Sequence, residues 1–319
     1  MASPRRIRAR RLKAAVLGGA TLAALLPLGL AGPASAATAP ICTSTTHAAL
    51  AAKLSKDIKA ALAGRSSSVG VDVWDADTKV YCAYNAYQHY DSASSVKATI
   101  MAAVLRRAQE GHRALTSWET SNLHLMITQS DNTAATNLWN SIGRARFNAY
   151  LELAGMSSTV AGPGGYWGLT QIDARDEVKL LDTFTANTPA LNATWRAYAL
   201  KLMSEVTPSQ RWGVPYGAPK GPLVSNKNGW LPRATRGWRV HSIGAVTGDG
   251  RDYEMAVLSD EDSSMQYGID TLQRVTLAVN RDLGGATAAR SLQSAPQGTA
   301  DGVAVPQLSD GSAPYGAVK

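Results

Sequence analysis

A serine and a lysine three residues apart, Ser94 and Lys97, begin a stretch whose apolar residues recur at helical spacing, "SSVKATIMAAVLRRAQEG" at 94–111. Residues three apart in a helix share one face, so the amine can reach the hydroxyl. Apolar surroundings lower the pKa of an ammonium group, and the neutral amine can take the proton of a nearby hydroxyl. The pair predicts a nucleophile, Ser94, with Lys97 as its base. One such pair also fits a helix cap followed by a solvated lysine.

Two polar triplets follow at wider spacing. Residues 130–132 read Ser-Asp-Asn in "MITQSDNTAATNLW", at the junction of two predicted helices. Residues 227–229 read Lys-Asn-Gly in "VSNKNGW", on a predicted strand. Ser130 can relay a proton, with a helix cap as its alternative role, and we interpret Asp131 as structural.

The elements that position these residues follow from hydrophobic periodicity. The pattern is helical over 45–63, alternates over 69–75 and 79–88, is helical again through most of 94–205, and gives three strands from 222 and a last helix at 262–283. This order predicts an α/β (α+β) fold with a five-stranded antiparallel sheet flanked by the N- and C-terminal helices, beside an all-helical subdomain. We assign the sheet part to about 45–93 and 215–283, and the helical part to about 94–214.

The first 36 residues have the pattern of a secretory signal peptide. Basic residues precede the apolar run "AAVLGGATLAALLPLGLAG", and "ASA" follows at 34–36. We therefore expect a secreted, extracellular protein with no retained membrane segment. The signal contains six of the 32 basic residues, so the mature chain is nearly neutral against its 24 acidic residues, and we predict no nucleic-acid partner.

The remaining chain divides into one folded domain, 37–285, and a tail, 286–319, whose small and polar composition predicts disorder. Cys42 and Cys82 allow a single intramolecular pairing in an oxidising compartment, so we predict a disulfide between them. The histidines show no spacing typical of a metal site. We expect a monomer with no metal and no cofactor.

The three motifs together resemble those of the penicillin-recognising serine enzymes, most closely the class A β-lactamases. The resemblance covers about 45–283 and implies their fold. It implies that Asn132 binds the substrate's amide and helps to hold Lys97, and that Lys227 keeps the cleft positive for a substrate carboxylate. It also implies an oxyanion hole made by the backbone N–H groups of Ser94 and Trp230. Gly229 fits a strand that approaches a ligand closely.

Two positions depart from the family's pattern. Asn228 lies where a hydroxyl usually binds the substrate carboxylate, although an amide can also donate to a carboxylate. The loop after the helical block, 155–170, contains neither Glu nor Asp, whereas class A enzymes have a glutamate there that activates the deacylating water. The sequence thus supports acylation of Ser94 better than release of the acyl group.

Three functions remain open from the sequence. The first is a secreted serine β-lactamase with an atypical deacylation step. The second is a D,D-peptidase or other penicillin-binding serine hydrolase that acts on cell-wall peptides and is slowly inhibited by β-lactams. The third is a weakly active protein that binds cell-wall fragments, against which the presence of Ser94, Lys97 and Ser130 argues, since a pure binder does not need an activated nucleophile.

Overall fold

The structure, a computed structural model, describes residues 39–285 and 309–313. The predicted signal peptide and most of the predicted tail lie outside the described residues. The α-helices are α1 (Ala48–Leu62), α2 (Lys97–Glu110), α3 (Ser117–Thr128), α4 (Asn132–Leu153), α5 (Ala174–Thr185), α6 (Ala193–Ser204) and α7 (Met265–Gly284). The strands are β1 (Cys42–Ser44), β2 (Ser68–Asp75), β3 (Val80–Tyr84), β4 (Tyr90–Asp91), β5 (Gln171–Ile172), β6 (Leu223–Pro232), β7 (Trp238–Gly248) and β8 (Arg251–Asp262).

The main sheet is antiparallel, with strand order β1-β3-β2-β8-β7-β6. The predicted antiparallel sheet with flanking helices is confirmed, but the predicted number of five strands was wrong, because β1 adds a sixth. β1 has three residues, too few to show an alternating pattern in the sequence. A disulfide joins its Cys42 to Cys82, its register partner on β3, which confirms the predicted pairing.

Apolar clusters cover both faces of the main sheet. Along β8, Met255 and Val257 belong to one cluster, and Ala256 and Leu258 belong to the other, as the alternation of a strand requires. The first cluster includes buried residues of α1 and α7, namely Leu54, Ile58, Ile269, Leu272, Val275 and Val279. The second is formed mainly by helices α2 to α6. The sheet therefore lies between the two terminal helices and the helical part of the chain.

Helix α2 runs through the second cluster, and every residue from Lys97 to Leu105 is buried. A helix that is apolar around its whole circumference is typical of a protein interior. A short 3₁₀ turn, Ala93–Val96, leads into it, so the helix proper begins three residues later than Ser94. No helix within the described residues is long and apolar enough to cross a membrane.

Candidate active site

Ser94 lies in the 3₁₀ turn that precedes α2. Ala93 before it has φ 47°, a left-handed conformation that costs an L-residue about 1–2 kcal/mol. Ser94 is buried, and its Oγ has no hydrogen-bond partner among the described residues. The turn thus holds a hydroxyl group that is not engaged by an internal hydrogen bond.

Strand β6 lies directly against this turn at Gly229. A Cβ atom at Gly229 would lie 2.7 Å from Ser92 O, 2.7 Å from Ser95 N and 2.8 Å from Ser94 N. All three atoms belong to the backbone and cannot rotate away. Only glycine therefore allows the edge strand to approach the Ser94 turn so closely.

Lys97, the first residue of α2, is fully buried. Its Nζ donates to Ser130 O at 2.6 Å, Asn132 Oδ1 at 2.7 Å and Ser130 Oγ at 3.0 Å. Nζ also lies 4.8 Å from the centre of the Trp167 ring, within the range of a cation–π contact. Burial lowers the pKa of Lys97 to about 8, and the carboxylates of Asp310 and Asp131 partly oppose this shift.

Ser130 connects Lys97 to a second lysine. It lies between α3 and α4 with φ 60°, and Asp131 after it caps α4 by accepting from Ala134 N at 2.7 Å. Lys227 Nζ donates to Ser130 Oγ at 3.0 Å and to Asn228 O at 2.8 Å. Residues from three separate segments therefore meet at one hydroxyl.

The two lysines share a buried environment. Burial lowers the pKa of Lys227 well below its usual value, and the positive charge of Lys97 lowers it further. Two ammonium groups that contact one hydroxyl repel each other strongly in a low dielectric. Burial and mutual repulsion therefore both favour loss of a proton from the pair.

Asn132 and Trp230 contact a segment near the end of the chain, Ser309–Ala313, here named the C-terminal segment. Asn132 Nδ2 donates to Asp310 O at 2.8 Å, and Asp310 N donates to Trp230 O at 3.1 Å. The carboxylate of Asp310 accepts from Ser94 N at 2.8 Å and, at a longer 3.5 Å, from Trp230 N. The two backbone N–H groups predicted to form the oxyanion hole thus point at one oxygen atom.

Asn228 differs from the other predicted binding residues. Its Nδ2 donates to Gln210 O at 2.8 Å and to Trp212 O at 3.0 Å, and the side chain is buried. Both amide N–H groups are thereby engaged by backbone carbonyls. In this arrangement the amide has no free donor for a substrate carboxylate, so the predicted role would require these bonds to break.

The loop after α4 places Trp167, and no carboxylate, beside the lysines. Trp167 is buried, and its Nε1 donates to Thr136 Oγ1 at 3.1 Å. Tyr166 beside it is 39% exposed. Trp167 both lies beside the lysine and fastens the loop onto the helices, because its ring contacts Lys97 and its Nε1 bonds to α4.

Acidic residues near this loop have structural partners or are neutral. Asp173 caps α5, and Asp176 Oδ2 accepts from the backbone of Ser158 and Thr159. Glu177 is buried, and neither of its carboxylate oxygens has a hydrogen-bond partner among the described residues. Burial, followed by the charges of Asp176 and Asp173, raises its pKa to about 8. It is therefore mostly protonated at neutral pH and is a poor base there.

The structure joins Lys97 to Ser130 and Asn132, and Lys227 to Ser130, by hydrogen bonds, and it places Gly229 against the Ser94 turn. Within the described residues no hydrogen bond joins Lys97 to Ser94 Oγ, and the side-chain donors of Asn228 turn elsewhere. Sequence reasoning missed Trp167 as a contact of Lys97, and it missed Asp310. Neither residue belongs to a motif, and the tail's composition predicted no contact at all. Within the described residues, no group of His, Cys, Asp and Glu could hold a metal ion.

The model of the beta-lactamase enzyme family matches residues 53–120 and 119–283. No curated protein matches the sequence. A class A beta-lactamase from Bacteroides cellulosilyticus has a similar fold, with TM-score 0.62 and 19% identity over 72% of this chain and 97% of that one.

Two further solved structures are similar. A beta-lactamase from Sphaerobacter thermophilus has TM-score 0.63 and 19% identity, over 72% of this chain and 97% of that one. The protein PBP-A has TM-score 0.61 and 20% identity, over 72% of this chain and 94% of that one. At these identities, the solved structures support the fold alone.

Proposed function

Because this chain belongs to the beta-lactamase enzyme family, we propose that it is a secreted serine β-lactamase that opens the β-lactam amide through an acyl-enzyme on Ser94. The observation that carries the proposal is the donation of Lys97 Nζ and Lys227 Nζ to the same buried hydroxyl, Ser130 Oγ. Burying two lysine side chains side by side costs free energy, either through repulsion of their charges or through loss of a proton. An arrangement that costs stability in this way supports a chemical role for the hydroxyl between them.

We propose the following steps of acylation, the first of which requires Ser94 Oγ, unpartnered among the described residues, to approach Lys97. Neutral Lys97 accepts the proton of Ser94, whose Oγ attacks the β-lactam carbonyl carbon and forms the C–O bond. The N–H groups of Ser94 and Trp230 donate to the carbonyl oxygen as it becomes negative. Ser130 gives its proton to the leaving nitrogen as the C–N bond breaks, and is reprotonated by the lysine pair. Lys227 keeps the surroundings positive for the substrate carboxylate.

Deacylation requires a water molecule to lose a proton as it attacks the acyl carbon. The loop 155–170 has no carboxylate, and Glu177 is held neutral near pH 7, so we assign this proton to Lys97. Lys97 then returns the proton to Ser94 Oγ as the bond between Oγ and the acyl carbon breaks. A step without a dedicated carboxylate base is slower by roughly 10²–10⁴-fold. We therefore expect acylation to outpace release, so that the acyl-enzyme accumulates.

A D,D-peptidase that acts on cell-wall peptides is the second candidate. It is favoured by the backbone contacts of Asp310, whose N–H and C=O bond to Trp230 O and Asn132 Nδ2. These contacts support the second candidate, because they are polar contacts between the site and a peptide backbone. A protein that only binds cell-wall fragments is the weakest alternative, since binding gives no reason for the lysine pair around Ser130.

The experiment that tests the function mixes the mature protein with benzylpenicillin and, separately, with a chromogenic cephalosporin. Product release and intact-protein mass are followed together. Many equivalents of product establish a β-lactamase, and about one equivalent with a lasting mass increase points to the penicillin-binding hydrolase. No product and no mass increase contradicts both.

The chain offers a matched control for the nucleophile. Ser95 lies next to Ser94 on the same turn, is also buried, and has an Oγ without a partner among the described residues. We expect Ser94→Ala to abolish the mass increase and Ser95→Ala to retain it. Labelling that persists in Ser94→Ala would show that another residue is acylated.

A further inference from the structure

The C-terminal segment contacts the site in the manner of a bound ligand. The backbone N–H of Asp310 donates to Trp230 O, and its backbone carbonyl accepts from Asn132 Nδ2. Its side chain enters between the Ser94 turn and β6, where Oδ2 accepts from Ser94 N at 2.8 Å. One residue of the tail thus engages both the predicted amide-binding residue and the predicted oxyanion hole.

The carboxylate that Asp310 presents to Ser94 does not acylate the serine under ordinary conditions. A carboxylate is a poor electrophile, and it is also the group that hydrolysis of an acyl-enzyme leaves at this position. The oxygen that accepts from Ser94 N and Trp230 N belongs to the side chain, whereas the backbone carbonyl of Asp310 is held by Asn132. The segment therefore resembles a product of the reaction more than a substrate.

Residues after Asp310 pack against the loop that carries Trp167. Ser312 and Ala313 are buried, and Ala313 contacts the apolar group of Ala93, Leu169 and Leu231. A Cβ atom at Gly168 would lie 2.6 Å from the Ser312 side chain and carbonyl oxygen. The absence of a side chain at Gly168 thus leaves the space that Ser312 fills. The C-terminal segment therefore contacts the site through Ser312 and Ala313 as well as through the charged Asp310.

Charge complementarity also favours the contact. Lys97 and Lys227 are buried next to the site, and burial lowers the pKa of each. The negative charge of Asp310 raises both pKa values against that effect. The carboxylate therefore stabilises the charged forms of the lysines, whereas the mechanism proposed for Ser94 requires Lys97 to be neutral.

We propose that the segment Ser309–Ala313 is a tethered, product-like inhibitor of this site, and that Ser94 reacts only in molecules from which the segment has been displaced. Because ligand and site belong to one chain, the segment competes at a high effective concentration. Substrate binds only to molecules that are open, so the apparent acylation rate is the rate of the open form multiplied by the open fraction. The inference rests on the proposed function, since it takes Ser94 as the acylated residue.

The test uses full-length chains that differ at one tail position. Asp310→Ala removes the carboxylate, and Ala313→Glu inserts a charge into the apolar contact with Leu169 and Leu231. Asp301→Ala is the matched control, because it removes an aspartate of the same tail that lies outside the described residues. The readouts are the second-order rate constant of labelling by a fluorescent penicillin and hydrogen exchange at the Ser94 amide.

We expect both Asp310→Ala and Ala313→Glu to be labelled at least roughly tenfold faster than the unaltered chain, with faster exchange at Ser94. Asp301→Ala should match the unaltered chain in both readouts. Labelling of all chains at equal rates would overturn this inference and leave the proposed function intact. The absence of labelling in every chain would instead overturn the proposed function, and the inference with it.

Discussion

Lys97 and Lys227 donate to one hydroxyl oxygen, Ser130 Oγ, each at 3.0 Å. Ser130 lies 33 residues from Lys97 and 97 residues from Lys227 along the chain. Both amines are within hydrogen-bond distance of the hydroxyl. The hydroxyl can therefore pass a proton from either amine to the leaving group of a bound substrate. The arrangement therefore predicts that the rate of acylation depends on the protonation of the lysines, and hence on pH.

Acylation should rise with pH as Lys97 loses its proton. Burial lowers the pKa of Lys97 to about 8 with Asp310 in place, and displacement of Asp310 removes a charge that raises this pKa. Below the pKa of the open form, the amine is mostly protonated and cannot accept a proton from Ser94. We expect the second-order rate constant of penicillin labelling to rise about tenfold per pH unit below the pKa and to level off above it. Stopped-flow labelling from about pH 6 to pH 9 measures this profile. A rate that is independent of pH would rule out Lys97 as the base.

Lys97→Arg provides the control for that profile. Arginine keeps the positive charge but does not deprotonate in proteins. We expect this variant to lose labelling at every pH at which it remains folded. Labelling at a normal rate would show that acylation requires a positive charge at position 97 and not proton transfer by that residue.

Gly229→Ala should displace the Ser94 turn. The added Cβ would lie 2.7–2.8 Å from three backbone atoms, which cannot move without moving the turn. We expect a loss of about 1–3 kcal/mol in the free energy of unfolding, and labelling of Ser94 slower by about 10²-fold. Gly111→Ala is the control, because its Cβ meets nothing closer than 3.4 Å. Equal effects of the two substitutions would contradict the close approach of β6.

Glu177→Gln should stabilise the fold in a pH-dependent manner. Burial raises the pKa of Glu177 from 4.5 to about 8, so between these values the unfolded chain releases a proton that the folded chain retains. Stability is therefore lost as the pH rises from 4.5 towards 8, and the glutamine variant avoids this loss. We expect its Tm to exceed that of the unaltered chain by several degrees at pH 8, at about 2–4 °C per kcal/mol.

The same comparison near pH 4.5 separates the titration of Glu177 from a simple packing effect. At this pH the carboxyl group is protonated in the folded chain and half protonated in the unfolded chain. The Tm of the glutamine variant should therefore exceed that of the unaltered chain only slightly. Glu152→Gln, at an exposed position, should leave Tm unchanged at both pH values. A gain that is equal at both pH values would disprove the assigned titration.

Removal of the disulfide should lower stability without slowing acylation. Cys42 and Cys82 close a loop with a sequence separation of 40 residues. Cross-links of this kind contribute about 2–5 kcal/mol to the free energy of unfolding. The double variant Cys42→Ala/Cys82→Ala should lose that amount in urea unfolding. The folded fraction should be labelled at the normal rate, because β1 and β3 lie at the opposite edge of the sheet from β6. A slower rate in that fraction would indicate coupling across the sheet.

Several parts of the fold could be predicted because their signals are local. The apolar positions of α7, Ile269, Leu272, Val275 and Val279, recur at helical spacing, and all four are buried on the sheet. The edge strand β1 was missed, because three residues cannot display a period and its place is set by pairing with β3. The roles predicted for the site residues remain predictions until they are tested by substitution.

By itself, the sequence determined the three motifs and placed Ser94 and Lys97 about one helical turn apart, since that spacing follows from local geometry. It also determined the alternation and periodicity that select an antiparallel sheet between helices. Only the tertiary structure decided that Lys227 reaches Ser130, that the amide of Asn228 turns away to Gln210 and Trp212, and that Asp310 lies against Ser94. These contacts join residues far apart in the chain, and their geometry is set by how strands and helices pack, which no short motif encodes.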